Sequence, residues 1–317
     1  MGLNVRLFTP EDAELWDIFC GKSLQGTLLH TRRFISYHLD RFIDRSLIIT
    51  EGNKWLGILP AALNPIDPLE VISHPGITYG GFVHQGGLRG ERMVEALTLT
   101  QDFYLKLGYR SLIYKATPTF YHSSPAQDDL YALFRLGASK SRCDLSSTIN
   151  LENRLPLPHG RLWGIKKAQK LGASIVEGHH YLENFWQILS DNLFEKHGKA
   201  PIHSLSEIEI LFERFPKEIL CICSEYNGAI VAGAILIVTP QVLHTQYIAS
   251  NAQGRKISAL DALIERSILL GINSGKKWFD FGISNESNGT ILNESLYAYK
   301  NGFGGGGYIH DFYKIVF

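Results

Sequence analysis

Apolar positions along the chain change their period, and those changes predict the elements. Val94, Leu97, Tyr104 and Leu105 share one face at helical spacing, and the same spacing returns at Leu260, Leu263, Ile264 and Ile268. Each helical pattern ends near a glycine, Gly108 or Gly275, and leads into a run of strand length, SLIYKA from Ser111 or WFDFGIS from Trp278. Upstream, apolar runs meet at Gly52-Asn53 and again at Asn227-Gly228, which predicts two hairpins. Asn-Gly supplies the two positive-φ positions that a tight hairpin turn needs.

The same order of signals occurs twice. Tyr79 and Gln85-Gly86 pair with Tyr247 and Gln253-Gly254, both at an offset of 168 residues. Leu130-Tyr131-Ala132 pairs with Leu296-Tyr297-Ala298, Trp16-Asp17-Ile18 with Trp186-Gln187-Ile188, and HTRRFISYHLDRF with HSLSEIEILFERF. Each half reads helix, helix, hairpin, strand, helix, strand, helix, strand, an α/β (α+β) unit of about 150 residues with a mixed sheet. The expected domains are 1–155 and 156–317, divided where ENRLPLPHG supplies Pro and Gly ahead of a basic helix, Arg161 to Lys170. The last strand is expected from Tyr308 to Val316.

Composition narrows the class. The chain has 317 residues, 45% apolar and 20% charged, with 31 Lys+Arg balancing 31 Asp+Glu. This is the composition of a soluble folded protein, and the zero balance argues against a nucleic-acid partner, which selects for a basic excess or stripe. Cys20 and Cys143 stand far apart, and Cys221-Ile222-Cys223 lies in an apolar run. That spacing suits strand-buried thiols rather than a zinc site, so no metal is expected. The longest apolar stretch, Ala229 to Val238, is too short to span a bilayer. The N-terminus MGLNVRLF lacks an apolar signal segment, and Arg6 stands where a myristoylation signal has Ser or Thr. A cytoplasmic location without membrane insertion is the expectation.

Strand, Gln-Gly turn, helix, strand in this order resembles the GNAT N-acyltransferase fold. Its tandem form resembles the Fem-like group, whose members carry two such units. The second half holds the residues of the resemblance: LHTQYIASNAQGRKIS (243–258), KWFDFGISNESNG (277–289) and LNESLYAYKNGFGG (292–305). The length also resembles bacterial sugar N-acyltransferases of surface-polysaccharide pathways, which acylate the amine of a dTDP-linked 3-amino-3,6-dideoxyhexose from an acyl-CoA. The resemblance implies two GNAT-like domains, with acetyl-CoA or a short hydroxyacyl-CoA held by the second. The thioester would enter between strands 243–250 and 278–284. Ile248 and Ala249 would offer an edge to the pantetheine, and Gln253, Gly254, Arg255, Lys256, Ile257 and Ser258 would form the phosphate loop. Arg255 and Lys256 suit phosphate charge, and Ser258 suits a helix N-cap. The loop departs from the family pattern, with Lys256 and Ser258 at its two small positions and Leu88 at one of them in the first half.

Asp280 stands between Phe279 and Phe281, and an acid in an apolar strand is costly unless paired. It reads as a general base or an orienter of the attacking amine, or else as an acid paired with backbone or a lysine. Tyr297 or Tyr299 is the expected acid for the departing thiolate. Asn285 and Glu286 are expected at the substrate, and Asn293 at the donor or as a helix cap. His197 and His203 flank a Gly/Pro break in the segment that covers the cleft in this fold. In the first half, Tyr79 or Phe82 of SHPGITYGGF would stack a base, His74 is expected at the substrate, and Arg32 and Arg33 near a diphosphate. The leading expectation is an acyl-CoA-dependent N-acyltransferase acting on a nucleotide-linked amino sugar. The alternatives are a Fem-type aminoacyl-tRNA transferase and a GNAT-like binding protein without catalysis.

Overall fold

A computed structural model describes residues 2–317, apart from the side chain of His197. The chain forms two units: residues 2–144 with 287–290 and 309–317, and residues 145–286 with 291–308. Residues 145–155, expected in the first domain, group with the second unit.

Unit 1 opens with β1 (Leu3–Leu7), α1 (Ala13–Gly21) and α2 (Arg32–Ile35). The predicted second helix, ending at Phe42, is cut short. Its later part is 3-10, and Leu39 takes a φ of 52°. A hairpin of β2 (Leu47–Glu51) and β3 (Lys54–Leu59) follows, turning at Gly52-Asn53 as expected, then β4 (Ala62–Leu63) and β5 (Glu70–Ile72). The stretch 73–82 is irregular up to β6 (Val83–His84). Next come α3 (Glu91–Lys106), β7 (Ser111–Lys115) and α4 (Asp128–Arg135). Strands β1, β2, β3 and β6 form one antiparallel sheet, while β5 runs parallel to β7. Between them, Leu47, Leu97, Tyr104 and Leu112 are fully buried in the core.

Strand β8 (Ser139–Asn150) carries the chain into unit 2, followed by α5 (His159–Lys170), β9 (Ser174–Glu177), α6 (Leu182–His197) and α7 (Leu205–Arg214). The predicted hairpin is β10 (Ile219–Tyr226) and β11 (Ala229–Val238), and its turn places Asn227 at φ 52° and Gly228 at φ 75°. Then come β12 (Val242–Ser250), α8 (Ala252–Ile257), α9 (Ala259–Asn273), β13 (Trp278–Ile283), the two-residue strands β14 (Asn285–Glu286) and β15 (Ile291–Leu292), and α10 (Glu294–Asn301). Unit 2's sheet has the order β8, β13, β12, β11, β10, β9. All pairs are antiparallel except β12 with β13. Leu263, Ile264 and Ile268 of α9 pack on Val231, Leu236 and Phe279, the face that their helical spacing predicts. The last strand, β16 (Gly306–Val316), starts two residues before the predicted Tyr308, and its end pairs with β7 in unit 1, from Phe312↔Lys115 to Val316↔Ser111.

Candidate active site in the second unit

Strands β12 and β13 run parallel for three registered pairs, Val242↔Trp278, Leu243↔Phe279 and His244↔Asp280, and then part. Beyond that point β12 continues to Ser250, paired only with β11. A bulge at Gln246, between the pairs Leu236↔Thr245 and Ile235↔Tyr247, turns the strand at the mouth of the gap. Opposite, β13 breaks register with β8 between Asp280 and Ile283, where Gly282 takes a φ of 72°. A side chain there would be strained, and its Cβ would meet His244 Cε1 at 3.3 Å.

The last parallel pair is polar, and its polar atoms are matched. Asp280 is fully buried. Its Oδ2 lies 2.7 Å from His244 Nδ1, and its Oδ1 accepts from Ser146 Oγ at 2.5 Å and from the Gly282 N–H at 3.1 Å. With Nδ1 donating to the carboxylate, His244 keeps Nε2 free to accept a proton. Lys300 reaches the same region from α10. Its ammonium donates to the Gly282 and Ile283 carbonyls at 2.9 and 2.6 Å. Burial pulls its pKa down to about 8, with Asp280 pulling it back up.

Unit 1 lacks this arrangement at the corresponding place. Its last parallel pair is Ile72↔Ile113, apolar on both strands. The space beyond is filled by Tyr114, whose hydroxyl accepts the Phe82 N–H and donates to Asp129 Oδ2, both at 2.7 Å. Gly81 is required there, because a Cβ would meet the Tyr114 hydroxyl at 2.7 Å.

The expected phosphate loop is helical. Asn251 caps α8 by accepting the Gly254 N–H at 2.9 Å, and the Arg255 N–H donates to the Asn251 carbonyl at 3.0 Å. Ser258 is the αL hinge before α9 (φ 61°), and its side chain makes no cap bond. Gly254 packs on β11, Ile257 lies in the core, and Gln253 and Lys256 face solvent. Arg255 is held by Asn192 Oδ1 (3.0 Å) and the Ser250 carbonyl (2.6 Å). Asp261, in the first turn of α9, is ion-paired to Arg161. A Cβ on Gly254 would collide with the Val231 carbonyl and Ser250 Oγ. Gly254→Ala is therefore expected to cost about 1–3 kcal/mol, read as a lower melting temperature. An unchanged melt would mean that this contact relaxes freely.

The remaining predicted residues separate into two groups. Near the strand exit, Asn285 accepts the Leu145 N–H, and Asn293 caps α10 by accepting the Leu296 N–H at 3.1 Å. Asn293 also donates to Glu286 at 3.0 Å. Tyr297 is half-buried, with its hydroxyl over Gly307. Tyr299 turns instead to Asp261 (3.3 Å) and stacks under Arg161, and burial pushes its pKa up. Ile248 and Ala249 pair with Ala234 and Gly233 on β11. His203 Nδ1 lies 2.6 Å from the Tyr247 hydroxyl, which burial pushes up to about 12, and Trp186 packs on the Tyr247 ring. The side chain of His197 lies outside the described residues.

In unit 1, the Arg32 guanidinium is committed to Asp44 and Ser46 and lies 3.7 Å over Phe8, while Arg33 is exposed. Tyr79 is buried against Tyr121 and His30, which leaves no face to stack a base. His74 is buried at φ 59° against His38, and Lys115, pulled by burial to about 7, donates to its carbonyl at 3.1 Å.

His244, Ser146 and Lys300 were not singled out in the sequence. A signal existed for the first: aligning VLH (242–244) with WFD (278–280) in parallel sets the one polar residue of each segment opposite the other.

The chain has the fold of two tandem GNAT-like domains. FemX superposes with a TM-score of 0.70 at 11% identity, over 99% of this chain and 97% of that one. L-PGS from Bacillus licheniformis gives 0.58 at 10% over 85% and 83%, and a tandem GNAT protein from the clavulanic acid biosynthesis pathway gives 0.51 at 11% over 99% and 98%. No family model matches the chain, and no curated protein matches it.

Proposed function

We propose that unit 2 is an N-acyltransferase. The observation that carries this reading is the His244–Asp280 dyad at the point where β12 and β13 part. An acyl donor in that gap would set its carbonyl beside the free edge of β12, and His244 Nε2 would take the proton of the attacking amine. The amine nitrogen bonds to the acyl carbon as the carbon–leaving-group bond breaks. Two Lys300 protons are used on carbonyls, and the third would steady the negative charge that develops.

Our first choice of donor is acyl-CoA, and of acceptor the amine of a nucleotide-linked sugar. The pair His203 and Tyr247, above β12, would contact the acceptor. A second reading, an aminoacyl-RNA donor, is favoured by one observation. Of the N–H groups expected to cradle a pyrophosphate, those of Gly254 and Arg255 are used on Asn251, and Asp261 in the first turn of α9 is paired with Arg161.

A free-thiol assay across acyl-CoAs, with nucleotide-linked amino sugars as acceptors, tests the choice. Thiol release that depends on the amine supports the first reading. No release from any acyl-CoA, with transfer from an aminoacylated RNA, establishes the second. The alkaline limb should fall as pH rises through about 8, where Lys300 loses its proton. A flat profile from pH 7 to about 10 would remove Lys300's charge from the reaction.

A further inference from the structure

Helix α5 buries Gly164, Ile165 and Ala168, and it packs against α9. At the turn of an α-helix, the opposite face carries His159, Trp163, Lys166 and Lys170 at i, i+4, i+7 and i+11, flanked by Leu162 and Lys167. Trp163 is 63% exposed and Leu162 39%. The helix contains no acidic residue. Lys167 lies 4.8 Å over the Trp163 ring and donates to the carbonyl of Lys256, another exposed lysine, at 2.7 Å. The carboxylates of the adjoining helix are committed elsewhere, Asp261 to Arg161 and Glu265 to Arg154. Among the described residues, no carboxylate lies within ion-pair distance of Lys166, Lys167, Lys170 or Lys256.

We propose that this face docks on an anionic lipid surface. Trp163 and Leu162 enter the boundary between headgroups and acyl chains, and Lys166, Lys167, Lys170 and Lys256 meet lipid phosphates. Charge complementarity selects an anionic partner, because four lysines stand together without a counter-charge. Leu162 beside Trp163 selects lipid over nucleic acid, since an aliphatic side chain neither stacks on a base nor pairs with a phosphate. No helix among the described residues is long and apolar enough to cross a membrane, and adsorption requires none.

The full chain is sedimented with vesicles of phosphatidylcholine alone or mixed with phosphatidylglycerol. It is expected to follow the mixed vesicles, and its tryptophan emission should shift to the blue. Trp163→Phe should keep most of the binding and lose the shift, which assigns it among the five tryptophans. Lys166→Glu with Lys170→Glu, and Leu162→Ser with Trp163→Ser, should each lower partition about tenfold or more, with melting temperatures unchanged. The proposal is overturned if the mixed vesicles bind no better than phosphatidylcholine, or if neither double variant changes binding. Preference for a single-stranded RNA oligonucleotide, with Leu162→Ser without effect, also overturns it.

Discussion

Asp280→Asn is expected to lower kcat by about 10²–10³-fold and to leave the KM for the acyl donor near its normal value. The substitution is nearly isosteric, so its effect follows from hydrogen-bond polarity. Ser146 Oγ and the Gly282 N–H both donate to Oδ1. The amide oxygen of an asparagine must therefore take that position, and its NH2 must face His244 Nδ1. The imidazole then accepts at Nδ1 and carries its proton on Nε2, the nitrogen that has to receive the proton of the amine. His244→Gln should cost a similar factor, and the double variant little more, because the two side chains act as one unit. Equal rates for wild type and Asp280→Asn would make the dyad structural.

Tyr114→Phe is expected to destabilise unit 1 by about 2–5 kcal/mol, since one hydroxyl serves two buried groups and each orphaned group costs about 1–3 kcal/mol. The Phe82 N–H loses its acceptor, and the buried Asp129 carboxylate loses its donor. Burial already raises the Asp129 pKa to about 6, against the hydrogen bonds it accepts. A folded pKa above the unfolded value of about 3.9 gives a contribution that is present at low pH and lost as pH rises through about 6. Unit 1 of the wild type should therefore lose some stability between those values. Asp129→Asn should flatten that slope, and Tyr114→Phe should steepen it. Thermal melts of the three proteins across this range check the account, and parallel pH profiles would refute it.

The local rules reached far into this chain. The Asn227-Gly228 turn, both amphipathic helices after the Gln-Gly pairs, and the strands at Ser111 and Trp278 stand where period and turn chemistry put them. Asp280 could be read because an ionisable group between two phenylalanines needs a partner. The partner itself could not be read with the same ease. His244 is 36 residues away along the chain, and the two meet through a parallel register that depends on α8 and α9 crossing between their strands. The phosphate-loop expectation met a local competitor, because Asn251 offers its side chain to the Gly254 N–H and starts a helix one turn earlier. Tyr299 was drawn from the expected site by Arg161, which stacks on its ring and pairs with Asp261.

The sequence by itself determined the periodic elements, the tandem layout and a strand that carries a buried acid between two phenylalanines, since these follow from neighbours a few residues apart. Only the tertiary structure decided that His244, Ser146 and Lys300 surround Asp280, and that the matching space in unit 1 is closed by Tyr114. The physical reason is range. Propensity and capping act within a turn or a strand, whereas register, bulges and the pairing of buried polar groups are settled when distant segments pack and each donor must find an acceptor.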